Sequence, residues 1–269
     1  MMKIFKSKKA TIAVIKLQGV IGKVGLSKGL TIDSIKHIEK IKKFKKLDAI
    51  ILLINSPGGS PVQSEMIAKK ITSLTIKKDG SKIPIYSFCE DVAASGGYWL
   101  ACIGDEIYSS SSSIIGSIGV ISQGFGFVDA IKKLGIERRV YTQGENKSVL
   151  DPFSKTKKED IEIIKKIQGD IHQEFINYVK NKRGKKLNDS QDVFTGKFWS
   201  GNKALELGLI DGIGYYEEII KEKFGEKVEF KELSAKQGFI QKKLSAMVAN
   251  IANNFILDVA EVKMNSKYK

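Results

Sequence analysis

AIILLINSPGGS, residues 49–60, decides the architecture of this chain. Ala49–Ile54 form an unbroken apolar run with no polar alternation, the pattern of a strand covered on both faces. The run stops at Asn55. Pro57 fixes its own φ, and Gly58 and Gly59 open backbone conformations closed to other residues. Ser60 can cap the amphipathic helix that the spacing places over about 61–74. Strand, glycine turn and helix form the repeating unit of an α/β fold. The turn lies at the carboxyl end of its strand, where such folds place their ligands.

The unit recurs downstream. IPIYSF (83–88) reads as a strand, AASGG (93–97) as its turn, and YWLACIG (98–104) as the helix that follows. Upstream, TIAVI (11–15) is a β-branched first strand, and Ile32, Ile35, Ile38 and Ile41 recur at helical spacing with lysines opposite. Residues 106–128 hold shorter strands and glycine-rich turns, followed by a short helix (127–134) and a strand (137–142). A long helix over 157–183 carries Ile161, Ile164, Ile167, Ile171, Phe175 and Val179 on its apolar side. Helices near 200–208 and 215–224 complete a core spanning 1–225. Residues 226–269 read as an appendage, a strand and then an amphipathic helix with Leu244, Met247, Val248, Ile251, Phe255 and Ile256 on one face. That face suits packing on its own domain or on a partner subunit, with peripheral contact to a membrane surface as the alternative.

Charge and cysteine content exclude several function classes. The formal net charge is +15, yet all the basic residues except Arg138, Arg139 and Arg183 are lysines, spread along the chain. Nucleic-acid readers lean on the bidentate arginine fork, so a solvated lysine surface is expected and no nucleic-acid partner. Cys89 and Cys102 sit in apolar contexts without metal-ligand spacing and read as buried free thiols. Lys16 interrupts the first apolar run, which is too short for a signal-peptide core or a membrane span, so the core is expected to be cytoplasmic, with any contact to the inner membrane peripheral. No metal cluster or phosphate loop is legible, and no cofactor is expected.

Ser95, between small residues at a helix start, is the candidate nucleophile. The turns at 55–59 and 93–97 end neighbouring strands, so their tips should converge. Backbone N–H groups of Gly96 and of Gly58 or Gly59 could then hold the oxyanion of an acyl-transfer intermediate formed on Ser95. A base is also required. His37 and His172, the chain's 2 histidines, lie in amphipathic helices far in sequence from the glycine turns, which leaves a Ser-His-Asp triad unsupported. A neutral lysine could serve instead if its pKa were brought down from about 10.4 toward 7–8. Lys147, in a loop beside Ser148, is an attractive candidate, but composition does not choose among so many lysines.

NSPGG, AASGGYWLA, SSSIIGSIGV, KSVLDPF and VFTGKFWSGNKALELGLIDGIG, taken together, resemble the signal peptide peptidase A family and its SohB-like members over about residues 11–225. The resemblance implies a Clp protease/crotonase-like fold of repeated strand–strand–helix units. It implies an ATP-independent serine endopeptidase using a Ser–Lys dyad, with Ser95 as nucleophile, Lys147 as base, and Gly58, Gly59 and Gly96 as backbone oxyanion donors. It also implies a homo-oligomeric ring in which serine and lysine come from adjacent protomers, and substrates that are remnant signal peptides or other apolar peptides. Ile115, Ile118 and Val120 are expected to line the peptide groove. Two alternatives stand beside it. One is a crotonase-type acyl-CoA enzyme using Glu90 or Asp91. The other is a non-catalytic scaffold of the same fold.

Overall fold

The computed structural model describes residues 9–22, 29–77, 79–188 and 193–234. A compact unit runs through Leu233. The amphipathic segment expected over 244–256 lies outside the described residues. Among those described, no helix is long and apolar enough to cross a membrane.

The strands are β1 (Ala10–Gln18), β2 (Ala49–Ser56), β3 (Ile85–Ala94), β4 (Glu106–Ser109), β5 (Ile114–Gly116), β6 (Phe198–Ser200), β7 (Gly212–Ile213) and β8 (Val228–Glu232). They form one sheet in the order β6-β5-β3-β2-β1-β8, with β4 branching from β3 and pairing β7. Every pairing is parallel except that of β5 with β6. The helices are α1 (Pro61–Thr75), α2 (Gly96–Ala101), α3 (Val128–Lys133), α4 (Lys158–Arg183), α5 (Gly201–Glu206) and α6 (Tyr216–Phe224).

The run at 49–54 is buried along its whole length. Alternate residues enter different cores: Ile50, Leu52 and Ile54 pack with α1 and α2, whereas Ile51 and Leu53 join Phe88, Tyr108 and Ile220. Each such side chain contributes about 1.5–3 kcal/mol by leaving water. β8 pairs with β1 from Ala10↔Val228 to Val14↔Glu232, so the strand at 228–232 is part of the central sheet.

Two expected elements differ. The isoleucine-spaced segment forms a 3-10 helix, Lys36–Lys43, which buries Ile38 and Ile41. The strict three-residue spacing of Ile32, Ile35, Ile38 and Ile41 matches the three residues per turn of a 3-10 helix. Residues 137–142 form no strand and are exposed, because among the described residues no strand lies alongside to complete their hydrogen bonds. The stripe on α4 is only half used: Phe175 and Val179 are buried, while Ile161 and Ile167 are exposed.

Arg183 closes the end of α4. Its side chain, 2% exposed, binds Asp211 at 2.7 Å and donates from Nε to the Gly208 carbonyl at 2.9 Å. Lys186 adds a second ion pair to Asp211 at 2.7 Å. Burial alone would raise the Asp211 carboxyl, but hydrogen bonds from Arg183 and Lys186 outweigh it and hold the group below the ordinary carboxylate range. The stabilisation is therefore complete above the unfolded value of about 3.9 and is lost as pH falls through the folded value. Asp211→Asn should cost about 3 kcal/mol at neutral pH, because Arg183 stays buried without a counter-charge. In denaturant titrations, the gap to wild type should close as pH drops from about 5 toward about 2.

Candidate active site

β2 ends at Ser56, and the chain turns through Pro57, Gly58 (φ 100°) and Gly59 (φ 143°) into α1. Ser60 caps that helix, its hydroxyl accepting from the Gln63 N–H at 3.4 Å. A short segment after β1 clasps the turn: the Ile21 N–H donates to the Gly58 carbonyl and the Ser60 N–H to the Ile21 carbonyl, both at 2.8 Å.

β3 carries the chain directly to Ser95, and α2 begins one residue later. Ser95 has φ 52° and ψ −123°, a conformation that residues other than glycine rarely adopt. Three features hold it there. Its N–H donates to the Gly116 carbonyl at 2.8 Å, and its carbonyl accepts from the Trp99 N–H at 3.0 Å. Trp99 is itself stacked on Tyr178 of α4, with ring centroids 4.3 Å apart. The Tyr98 hydroxyl, buried in the core, donates to the Leu209 carbonyl at 2.7 Å. The Ser95 side chain is half-buried and caps no backbone N–H.

The two turns touch. A Cβ on Gly58 would lie 2.7 Å from the Ser95 Cβ and 2.8 Å from the Gly96 nitrogen. A Cβ on Gly96 would lie 2.5 Å from the Ser64 Oγ and 3.4 Å from the Gly59 nitrogen. Gly97 packs so closely on the end of β2 that a Cβ there would fall 2.3 Å from the Ser56 carbonyl oxygen. Ser95, Gly58, Gly59 and Gly96 therefore form one cluster. The Gly58 N–H is already turned toward the Ser56 Oγ at 3.2 Å. Among the described residues the N–H groups of Gly59 and Gly96 have no such acceptor.

The other expected site residues are placed differently. Ile115 and Ile118 are fully buried in the core and offer a groove only their backbone, while Val120 is half-buried. Lys147 lies in an exposed turn, its N–H donating to the Gly144 carbonyl at 3.2 Å. Its side chain makes no hydrogen bond or ion pair among the described residues, Ser95 included. Glu90 accepts from Gln18 at 3.0 Å and Asp91 from Asn55 at 2.7 Å, which ties both carboxylates to strand ends. They line a cavity of about 460 Å³ with Phe88 and Tyr216, residues of the core on the α6 side. Burial pushes the Cys89 thiol well up and the Cys102 thiol up to about 12, so neither is a ready nucleophile.

Sequence reasoning missed several supports of the site. The clasp by Ile21, the Gly116 carbonyl under Ser95 and the Ser64 hydroxyl beside Gly96 are all contacts between segments distant in sequence. His172, set aside as a triad base, has a structural contact. Its Nε2 lies 3.1 Å from the Ile118 carbonyl and helps fix the segment leaving β5. In the sequence, Gly19, Gly22, Gly25 and Gly29 mark a loop after the first strand but not the turn it clasps.

Residues 77–231 match the model of Peptidase family S49. The chain belongs to that family. A Brucella abortus protein named Na(+)/H(+) antiporter NhaA is 45% identical over 243 residues, covering 89% of this chain and 33% of that protein. A putative signal peptide peptidase SppA from Enterococcus faecium is 32% identical over 215 residues, 78% of this chain and 61% of that one. The S49 chain thus spans about a third of the first relative's length and about three-fifths of the second's. Among solved structures, the 1510-N membrane-bound stomatin-specific protease aligns over 85% of this chain and 100% of its own, with TM-score 0.50 and 16% identity. That likeness shows the Clp protease/crotonase-like fold.

The strain at Ser95 yields a direct test. Ser95→Gly should be more stable than Ser95→Ala by about 1 kcal/mol, because glycine alone relaxes at this φ and ψ. Thermal unfolding of the two variants side by side measures the difference.

Proposed function

We propose that this S49 member is an ATP-independent serine endopeptidase that cleaves remnant signal peptides or other apolar peptides through Ser95 and Lys147. The observation carrying this reading is the contact between the Gly58–Gly59 turn and the strained Ser95–Gly96 junction. The Ser95 Oγ attacks the scissile carbonyl as the neutral Lys147 amine takes its proton. The N–H groups of Gly59 and Gly96 receive the oxyanion, with Gly58 able to join if its N–H leaves the Ser56 hydroxyl. The lysine then gives the proton to the leaving amine, and water attacks the acyl-enzyme by the reverse path.

Lys147 must come from an adjacent protomer in this reading. Two features support a ring of subunits. The segment bearing Lys147 is open to solvent in the single chain, and it carries Ile121 (79% exposed), Phe125 (80%), Leu134 (72%) and Tyr141 (90%). The unused apolar half of α4 adds Ile161 and Ile167. Apolar surface on this scale in a lysine-rich protein marks an association face.

Ser95→Ala and Lys147→Ala should each abolish cleavage of a fluorogenic peptide with an apolar residue before the scissile bond. Co-assembling the two inactive variants should restore turnover, since some interfaces then pair an intact serine with an intact lysine. Wild-type rates from either single variant would remove the dyad, and no recovery on mixing would place both groups in one chain.

A further inference from the structure

Resting on the Ser–Lys reading above, we propose that the Arg138–Asp151 ion pair is the device that positions Lys147. The segment from Ile121 to Leu150 has no buried residue, so no hydrophobic core holds the turn that carries the lysine. Asp151 is the exception beside it. Its side chain is 6% exposed although its surroundings are open.

Both carboxylate oxygens of Asp151 are engaged. Oδ2 accepts from the Arg138 Nε at 2.9 Å and from the Ser154 hydroxyl at 3.2 Å. Oδ1 accepts from the Phe153 N–H at 3.2 Å. The Arg138 guanidinium also lies over the Phe153 ring, 5.0 Å from its centroid. Phe153 packs against Phe127 at 5.6 Å, and the Phe127 N–H donates to the Pro152 carbonyl at 2.6 Å. One carboxylate therefore ties together the start of α3, the extended stretch at 136–142 and the Lys147 turn. The turn itself is held by local backbone bonds, Lys147 N–H to Gly144 O and Asp151 N–H to Ser148 O, both at 3.2 Å. Leu150 stands between them at φ 56°, a conformation a leucine keeps only when its neighbours over-determine it.

The adjacent arginine has its own partner. Arg139 pairs with Glu137 at 2.6 Å, which leaves Arg138 to Asp151 alone. The Arg138 hydrogen bond holds the Asp151 carboxyl below its usual range, consistent with a pair kept ionised. A general base must reach the atom bearing its proton to about 2.6–3.2 Å, directly or through one water, and a displacement of about 1 Å can cost about 10²-fold in rate. An exposed lysine supplied across a subunit boundary needs its turn fixed beforehand, and this pair fixes it.

The test is steady-state kinetics of the full chain with an apolar peptide, beside light scattering of each variant. Asp151→Asn and Arg138→Gln should each lower kcat by about tenfold or more, with KM within about twofold and the assembly size unchanged. Arg138→Lys keeps the charge on a half-exposed side chain but loses the Nε geometry; it should fold normally and fall between wild type and Arg138→Gln. The charge-reversed double variant, Arg138→Asp with Asp151→Arg, should recover most of the kcat lost by either reversal alone. Wild-type kcat in the single variants overturns the inference. So does a loss of assembly together with kcat, or a double variant no better than the singles. Lys147→Ala separates the two claims. If it retains activity, the dyad itself fails; if it is silent while the pair variants run at full rate, only the positioning role fails.

Discussion

The site depends on one close approach. The turn after β2 and the junction after β3 meet with no room for a side chain on Gly58, whose added Cβ would overlap the backbone on both sides of Ser95. Parallel pairing of β2 with β3 brings the two carboxyl ends level, and the register shift between Ile54 and Ser56 lets β3 run on to Ala94. The glycines then convert strand adjacency into contact. A larger residue would push the turns apart and separate the N–H groups of Gly59 and Gly96.

That contact is held from below by the core and from the side by aromatic packing. β2 gives alternate residues to both sides of the sheet, so its end is fixed by two hydrophobic clusters at once. α2 is too short to be stable by itself and is anchored by Trp99 on Tyr178 and by the Tyr98 hydroxyl on Leu209. These anchors sustain the strained backbone at Ser95. The region around Lys147 is built on the opposite principle, with exposed apolar residues and a single engaged carboxylate in place of a core. The Ser95 junction is thus fixed by packing within the chain, whereas the Lys147 segment is open to solvent.

Much of this was legible in the amino-acid order. The apolar run at 49–54, the glycine turns and the 157–183 helix each follow from local physics, and the structure has them at or within a few residues of their expected bounds. Ser60 as a helix cap was readable for the same reason. The readings that changed all involved tertiary partners. Spacing alone could not tell an α-helix from a 3-10 helix at 36–43, nor could β-branched content at 137–142 supply a strand with a neighbour. Ile115 and Ile118 read as groove residues, but Ile115 in β5 and Ile118 just after it are both fully buried in the core, which leaves only their backbone to a groove.

The sequence by itself determined the α/β class, the turn positions and the identity of the serine at the second turn, because run length, glycine placement and capping act over a few residues. Only the tertiary structure decided which backbone groups face Ser95, that Ile21 clasps the first turn, and that Lys147 sits in a solvent-exposed turn. The reason is physical: those facts depend on strand register and on contacts between segments far apart along the chain, and no local pattern of residues encodes a distance across a sheet.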